Sequence, residues 1–247
     1  MEISSLSNNL VKETTKLQQK KYRAESGKFL LEGYKAIKEA YDYGIKLEHI
    51  FVNKKNVSEY QFASNIIIET NEDVLNKLST TESAPNAVAI GIQKIYSKED
   101  FKQLKKVVLL ENIKDAGNLG TIIRSSTAFG ADGIVLYGDC VDLYNPKCVR
   151  SSVGNLWKLP IIHIEKFCEL GETFKNFTKI ATLPKANHYL KDFKAKYPML
   201  IMFGSEADGL SEELIKFSTD SLKIEMAKTV ESLNLATSVS VILYELM

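Results

Sequence analysis

The amino-acid sequence predicts two consecutive α/β domains. Its 247 residues are enough for two domains of ordinary size. Short apolar runs typical of strands alternate with helical patterns, and the alternation pauses in the polar stretch 93–106 before it restarts at Lys106. We therefore expect domains at 1–95 and 106–247, joined by a linker at 96–105.

The first domain is predicted to begin with a charged amphipathic helix at Leu10–Arg23. A short strand at 28–33 and a helix at 34–44, ended by Gly44, come next. Three more strands follow, KLEHIFVN, NIIIET and AVAIGI, with a capped helix, NEDVLNKLS, between the last two.

In the second domain strands and helices alternate throughout, which predicts a parallel sheet covered on both faces. For the last segment, SLNLATSVSVILYELM, a helix is favoured because Ser232 and Asn234 can cap its start. Its β-branched residues leave a core strand as the alternative. The predicted strands are VVLLEN, GIVLYG, PIIHI, KIATL, MLIMFG and SLKIEM, and the other helices are centred on Leu119–Phe129, PKCVRSS, EKFCELGETF and SEELIKF.

Composition excludes several classes of protein. No apolar run approaches the roughly 20 residues of a membrane helix, and the N-terminus lacks the basic-then-apolar pattern of a signal peptide. Cys140, Cys148 and Cys168 are odd in number and lack CxxC spacing, so neither a disulfide framework nor a metal site is indicated. We expect a cytoplasmic protein with reduced thiols.

Charge is balanced overall but uneven along the chain. Residues 1–28 carry six Lys/Arg against three acids, and residues 144–200 carry ten against four. Such zones suit a phosphate-binding face, although a solvated lysine-rich surface has the same composition. Of the 32 basic residues only Arg23, Arg124 and Arg150 are arginine. This suggests that these positions need the rigid, always-charged guanidinium group rather than the ammonium of lysine.

Three loops are expected at the carboxyl ends of strands, where open α/β sheets bind ligands. In KDAGNLGTIIR, Asn118 can cap a helix, Gly120 allows close backbone approach, and the helix start together with Arg124 favours an anion. In FGSEADGL, Glu206 follows a buried strand that Gly204 ends. In IEMAKTVESLNLA a strand leads into the last segment. Taken alone, the first loop is equally compatible with ordinary helix capping, the second is better explained by it, and Ser232 and Asn234 of the third can also serve as caps.

Together these loops resemble the motifs of the SpoU/TrmH family of RNA ribose methyltransferases, within the SPOUT superfamily. The family's acid-Pro-x-Asn-x-Gly and Arg pattern matches KDAGNLGTIIRSSTAFG, its Gly-x-Glu-x-x-Gly-Leu matches GSEADGL, and its Ser-Leu-Asn matches ESLNLA. PKCVRSSVG resembles the segment between motifs, and the N-terminal ISSLSN and GKFLLEG resemble the family's substrate-binding domain. Ala116 and Glu225 depart from the pattern, since each stands where the family usually has proline.

The resemblance implies a C-terminal α/β fold with a parallel sheet and a deep trefoil knot, preceded by a small domain similar to ribosomal proteins that bind RNA. It implies S-adenosyl-L-methionine as cofactor and a ribose 2′-hydroxyl of RNA as methyl acceptor. The residues it assigns to the cofactor pocket are Leu183, Gly204, Ile224, Met226 and Leu233. Those it assigns to catalysis are Asn118, Arg124, Glu206, Ser232 and Asn234.

The resemblance further implies a homodimer through the knotted domain and structured RNA as partner, with ribosomal RNA favoured over transfer RNA. We expect RNA contacts from the basic zones, at Lys20, Lys21, Arg23, Lys147 and Arg150. We expect Arg124 to bind a phosphate and stabilise the developing alkoxide, because arginine's pKa above about 12 makes it a poor base.

Four alternatives stay open or are disfavoured. A tRNA 2′-O-methyltransferase and a non-catalytic RNA-binding protein on the same scaffold stay open. The Asn-x-Gly-x-x-x-Arg pattern disfavours methylation of a base nitrogen, and the missing GxGxxG disfavours an oxidoreductase. The resemblance implies guanosine or uridine as the methylated nucleotide, since these are typical of the family.

Overall fold

The computed structural model describes residues 1–230 and 232–247. In chain order the first elements are β1 (Glu2–Ile3), α1 (Asn9–Lys16), α2 (Lys20–Ser26), β2 (Lys28–Glu32), α3 (Tyr34–Asp42), β3 (Leu47–Asn53), 3-10 turns at Lys54–Ile66, β4 (Ile67–Thr70), α4 (Glu72–Leu78) and β5 (Ala87–Ile92). The remaining elements are a 3-10 helix at Lys98–Phe101, β6 (Lys106–Glu111), α5 (Ala116–Ala128), β7 (Gly133–Tyr137), α6 (Pro146–Ser151), β8 (Ile161–Ile164), α7 (Phe167–Thr173), β9 (Thr178–Thr182), β10 (His188–Tyr189), a 3-10 helix at Leu190–Asp192, β11 (Met199–Phe203), α8 (Glu212–Phe217), β12 (Asp220–Lys223) and α9 (Leu235–Glu245).

The described residues divide into two compact units. The first consists of 1–94 and 142–157, and the second of 95–141 and 158–247. The segment around α6 therefore packs with the N-terminal residues, although it lies between two strands of the second unit in sequence. Phe101, in the stretch predicted as a linker, is fully buried in the core of the second unit.

The first unit is built on a mixed sheet with strand order β1-β4-β3-β5-β2, in which β5 is antiparallel to both neighbours. Phe51, Ile68 and Val88 belong to its core, which α1 and α4 help to cover. The predicted helix Leu10–Arg23 is in fact two helices. The Gln18 amide donates to carbonyls of α4 and its flank, and Arg23 Nη1 donates to the carbonyl of Leu17 at 2.8 Å, so these contacts end α1 early.

The second unit contains, among the described residues, a seven-stranded sheet with order β10-β12-β9-β11-β6-β7-β8. Every neighbouring pair is parallel, as the alternation of strands and helices predicts. The interior strands β6 and β11 are buried along their whole length. Their carboxyl ends therefore form a fixed edge from which the motif loops leave.

The last segment is a helix, α9, so the strand alternative is wrong. Asn234 caps it by accepting from the N–H groups of Ala236 and Thr237, at 2.9 and 3.2 Å. The small residues of α9 allow close packing on α5, where Ser240 Oγ donates to Ser125 Oγ at 2.7 Å. This packing fixes the first and third motifs relative to each other. No helix in 1–230 or 232–247 has the length and apolar content needed to cross a membrane.

Candidate active site

A cleft of about 750 Å³ opens at the carboxyl ends of β9, β11 and β12. This is the edge at which open parallel sheets bind ligands. Smaller cavities, of about 320 and 280 Å³, lie in the first unit, and their described lining residues include none from the three motifs. The cleft is therefore the candidate site.

The first motif differs locally from its prediction. Asp115 is the N-cap of α5 and accepts from the Asn118 N–H at 2.7 Å, so the helix begins at Ala116 rather than near Leu119. Asn118 is consequently not a cap, and Gly120 lies buried inside the helix rather than in the turn. The amide of Asn118 is left available for other partners.

Asn118 joins all three motifs. Its Nδ2 donates to Oε1 of Glu206 at 2.6 Å, and its Oδ1 accepts from Nδ2 of Asn234 at 3.1 Å. These partners are 88 and 116 residues away in sequence. One primary amide, which offers both donors and an acceptor, can hold a carboxylate and a second amide at once.

The second motif is a tight turn. Ser205 and Gly209 exchange two backbone hydrogen bonds, at 3.1 and 3.2 Å, and Gly209 has a φ of +70°. A Cβ on Gly204 would lie 1.9 Å from the carbonyl carbon of Gly209, so only glycine fits there. The turn presents Glu206 at its exposed tip, facing Asn118.

Two residues that the sequence did not predict stabilise the segment that follows this turn. Glu111, buried at the end of β6, accepts from the N–H of Ser211 at 2.7 Å. Tyr137, at the end of β7, donates to Glu213 of α8 at 2.8 Å, and burial together with this bond raises the pKa of Tyr137 to about 12. An acid at the end of an otherwise apolar strand, as in VVLLE, was the available signal.

The third motif follows the end of β12. The sheet ladder ends at Lys223, so the backbone groups of Ile224 and Met226 lie beyond it in an irregular segment. The cleft is lined by all five residues predicted for the cofactor, Leu183, Gly204, Ile224, Met226 and Leu233, and by Glu206, Ser232 and Asn234. The lining is thus largely apolar, with polar groups concentrated where Asn118 makes its bonds.

Arg124 lies on the third turn of α5 and is exposed. It follows Ala116 by eight residues, about 12 Å along the axis at about 1.5 Å per residue. The helix N-terminus and Arg124 therefore do not share one anion, contrary to the sequence-based expectation. Arg124 is not among the residues lining the cleft, and its side chain makes no hydrogen bond or ion pair with any residue in 1–230 or 232–247.

The other two arginines have structural partners, and the burial of Arg23 contradicts its predicted RNA contact, whereas the contact predicted for Arg150 stays a prediction. Arg23 is 2% exposed, and its guanidinium binds the Asp142 carboxylate at 2.5 Å, so it cannot reach an RNA backbone. Arg150 is partly exposed but donates to Glu32 at 3.1 Å and to the hydroxyl of Thr80. The remaining predicted RNA contacts, Lys20, Lys21 and Lys147, are exposed.

No group of three or more His, Cys, Asp or Glu side chains among the described residues is arranged to hold a metal ion.

The model of the SpoU rRNA Methylase family matches residues 105–244, more than half of the chain. The chain belongs to this family. The model of the MRM3-like substrate binding domain matches residues 8–89, within the first unit.

Individual relatives agree with this membership along the whole chain. An uncharacterized tRNA/rRNA methyltransferase of Synechocystis is 33% identical over 98% of this chain and 92% of its own length. The 23S rRNA (guanosine(2553)-2′-O)-methyltransferase RlmP of Bacillus subtilis is 26% identical over 99% and 98%. The crystal structure of an AdoMet-bound rRNA methyltransferase from Sinorhizobium meliloti superposes with a TM-score of 0.90 at 28% identity, covering 99% of this chain and 96% of that one.

Proposed function

We propose that the protein transfers a methyl group from S-adenosyl-L-methionine to a ribose 2′-hydroxyl of ribosomal RNA. The observation that carries this proposal is the convergence of the three SpoU motifs on Asn118, at the edge of a cleft lined by all five predicted cofactor residues. RlmP acts on the ribose of 23S rRNA, and the Sinorhizobium enzyme binds AdoMet, which supports both the substrate and the cofactor.

The residues of the cleft fit S-adenosyl-L-methionine. A volume of about 750 Å³ lies within the range of sites for ligands of this size. Leu183, Ile224, Met226 and Leu233 offer apolar surface for the adenine face, and backbone groups beyond the end of β12 would bind its edge. When bound, the cofactor supplies an electrophilic methyl group.

The protein's own task is to align the hydroxyl and manage its proton and charge. Arg124 has an exposed guanidinium without a partner among the described residues, which suits it to a phosphate of the RNA and to the negative charge that develops on the 2′-oxygen. Asn118, Glu206, Ser232 and Asn234 order the loops and the reacting nucleotide around it.

A homodimer through the knotted domain is part of the proposal. Arg124 does not line the cleft of its own chain, although the role proposed for it here needs it beside the reacting ribose. A second copy that brings its α5 to this cleft would complete the site. The trefoil knot belongs to the same proposal.

We assign RNA binding to residues 1–95 and methyl transfer to 106–247, with 96–105 joining them. The match of 8–89 to a substrate-binding domain supports the first assignment, in which Lys20 and Lys21 are the exposed contacts. Lys147 is a further exposed contact, from the segment 142–157 that packs with the first unit. We also propose a cytoplasmic location, with which a ribosomal substrate is consistent.

The test uses wild-type protein, Arg124→Lys and Arg124→Ala with labelled S-adenosyl-L-methionine and with unmodified ribosomal and transfer RNA in parallel. Calorimetry should give the same cofactor affinity for all three proteins. Methylation of ribosomal RNA should fall by at least about 100-fold in both variants, the usual cost of one group that stabilises the transition state. Undiminished turnover of Arg124→Lys would show that the guanidinium of Arg124 is not needed. Label found only in transfer RNA would show that the substrate is transfer RNA rather than ribosomal RNA.

A further inference from the structure

A second surface of the methyltransferase unit lies directly beside the cleft. We call Tyr189, Lys191 and Lys223 the rim patch. The edge strand β10 pairs with β12 so that Tyr189 stands opposite Lys223, and Lys223 itself lines the cleft. The rim patch is therefore continuous with the candidate active site.

The rim patch combines an aromatic ring with two cations. Lys223 Nζ lies 4.4 Å and Lys191 Nζ 5.6 Å from the centre of the Tyr189 ring. Tyr189 is nevertheless 42% exposed. Its neighbour Leu190 is buried and anchors the strand, so packing does not require an aromatic side chain at position 189.

The surroundings of the rim patch are positively charged. The segment 184–198 carries four lysines and one acid, Asp192. Two further acids lie nearby, Asp220 at 3.2 Å from His188 and Glu225 at 2.6 Å from Lys191, so that with Lys223 five lysines face three acids. The charge that remains favours an anionic ligand.

The pair between Lys191 and Glu225 does not prevent this. Both side chains are 59% exposed, and exposed ion pairs contribute little to stability. A phosphate that approaches Lys191 can therefore replace the carboxylate at small cost. Glu225 stands where the family usually has proline, so this pairing is a feature of this chain rather than of the motif.

We propose that the rim patch binds the RNA strand that enters the cleft, with the Tyr189 ring stacked on an unpaired base and the lysines on neighbouring phosphates. Single-stranded nucleic acid is commonly held in this way, by aromatic rings beside a basic groove. The inference rests on the proposed function, because it takes the cleft to be the methylation site. The element bound by the rim patch is then single-stranded RNA next to the reacting nucleotide.

The test measures binding of an unmodified 23S rRNA transcript by filter retention at several KCl concentrations. Tyr189→Ala should weaken binding by about tenfold, within the range for loss of one stacked base. Tyr189→Phe keeps the ring and should stay within about twofold of wild type. Cofactor affinity, measured by calorimetry, should be the same in all of these proteins.

The charge is tested with a matched pair of lysines. Lys191→Ala should reduce the slope of log K against log salt by about 0.7, the value for one phosphate of a single strand. Lys102→Ala should change neither affinity nor slope. Lys102 is also exposed and also lies 2.6 Å from a glutamate, but it precedes β6 at the opposite end of the strands.

The outcomes separate the inference from the function it rests on. Wild-type RNA affinity in Tyr189→Ala, or equal losses in Tyr189→Ala and Tyr189→Phe, would overturn the rim patch while leaving the methyltransferase assignment intact. Loss of RNA binding in Tyr189→Ala by a protein that methylates no RNA would support the patch and refute the proposed function. A wild-type protein that binds no RNA would overturn the inference outright.

Discussion

The hydrogen bond between Asn118 and Glu206 can be broken without changing the shape of either side chain. Asn118→Asp replaces the Nδ2 donor, 2.6 Å from Glu206 Oε1, with a carboxylate oxygen. The bond from Asn234 survives, because a carboxylate still accepts it. We expect the variant to fold normally and to lose order among the three motif loops.

The size of the effect follows from two terms. Two unit charges about 4 Å apart repel by about 1 kcal/mol in bulk water and about 4 kcal/mol at an effective dielectric constant near 20. Glu206 is exposed, so a value of about 1–2 kcal/mol applies. A lost hydrogen bond to a charged group adds about 1 kcal/mol after allowance for solvent. Together these amount to about 2–3 kcal/mol, and at about 1.4 kcal/mol per tenfold we expect kcat/KM to fall about 30- to 150-fold.

The assay is a double-mutant cycle in methyl transfer. Glu206→Gln combined with Asn118→Asp restores a donor and an acceptor with reversed polarity, so it should recover at least about tenfold of the loss. Asn76→Asp, which adds the same charge at an exposed position of α4, is the control and should match wild type. If the two single losses simply multiply in the double variant, the contact does not order the site and the reasoning is refuted.

Three further predictions concern stability, backbone space and thiol chemistry. Arg23→Ala should lower the free energy of unfolding, measured by urea titration, by about 3 kcal/mol, because it leaves the largely buried carboxylate of Asp142 unpaired. The control Lys21→Ala, at an exposed position, should change it by less than about 0.5 kcal/mol. Gly204→Ala should reduce cofactor affinity at least about tenfold by calorimetry because its Cβ meets backbone, while Gly171→Ala, which meets nothing within 4 Å, should leave affinity unchanged. With a thiol reagent at neutral pH only the exposed Cys168 should react quickly, since burial raises the pKa of the Cys140 and Cys148 thiols. Rapid reaction of all three cysteines would contradict the burial of Cys140 and Cys148.

The strands and the ligand-binding edge could be predicted because they depend on local patterns. Buried parallel strands are continuous apolar runs, and polar motifs at their ends leave few places for a ligand. The helix α9 could also be predicted, because the cap at Asn234 is local in sequence.

Features that depend on distant contacts could not be predicted. The break between α1 and α2 arises from bonds made by Gln18 and Arg23 to other parts of the first unit. The burial of Arg23 is likewise invisible in a lysine-rich stretch, which is why it resembled an RNA contact. Asp115 displaced Asn118 as the cap of α5, and only the folded chain reveals that Asn118 then bridges Glu206 and Asn234.

The measurement that tests the central claim most directly is alkaline hydrolysis of ribosomal RNA that the protein has labelled with methyl-tritiated S-adenosyl-L-methionine. Hydrolysis of an RNA backbone needs a free 2′-hydroxyl, so a methyl group on that oxygen protects the adjacent phosphodiester bond. The account predicts that the label appears in alkali-stable dinucleotides and that Arg124→Ala abolishes it. Label recovered in mononucleotides would place the methyl group on a base and contradict the account.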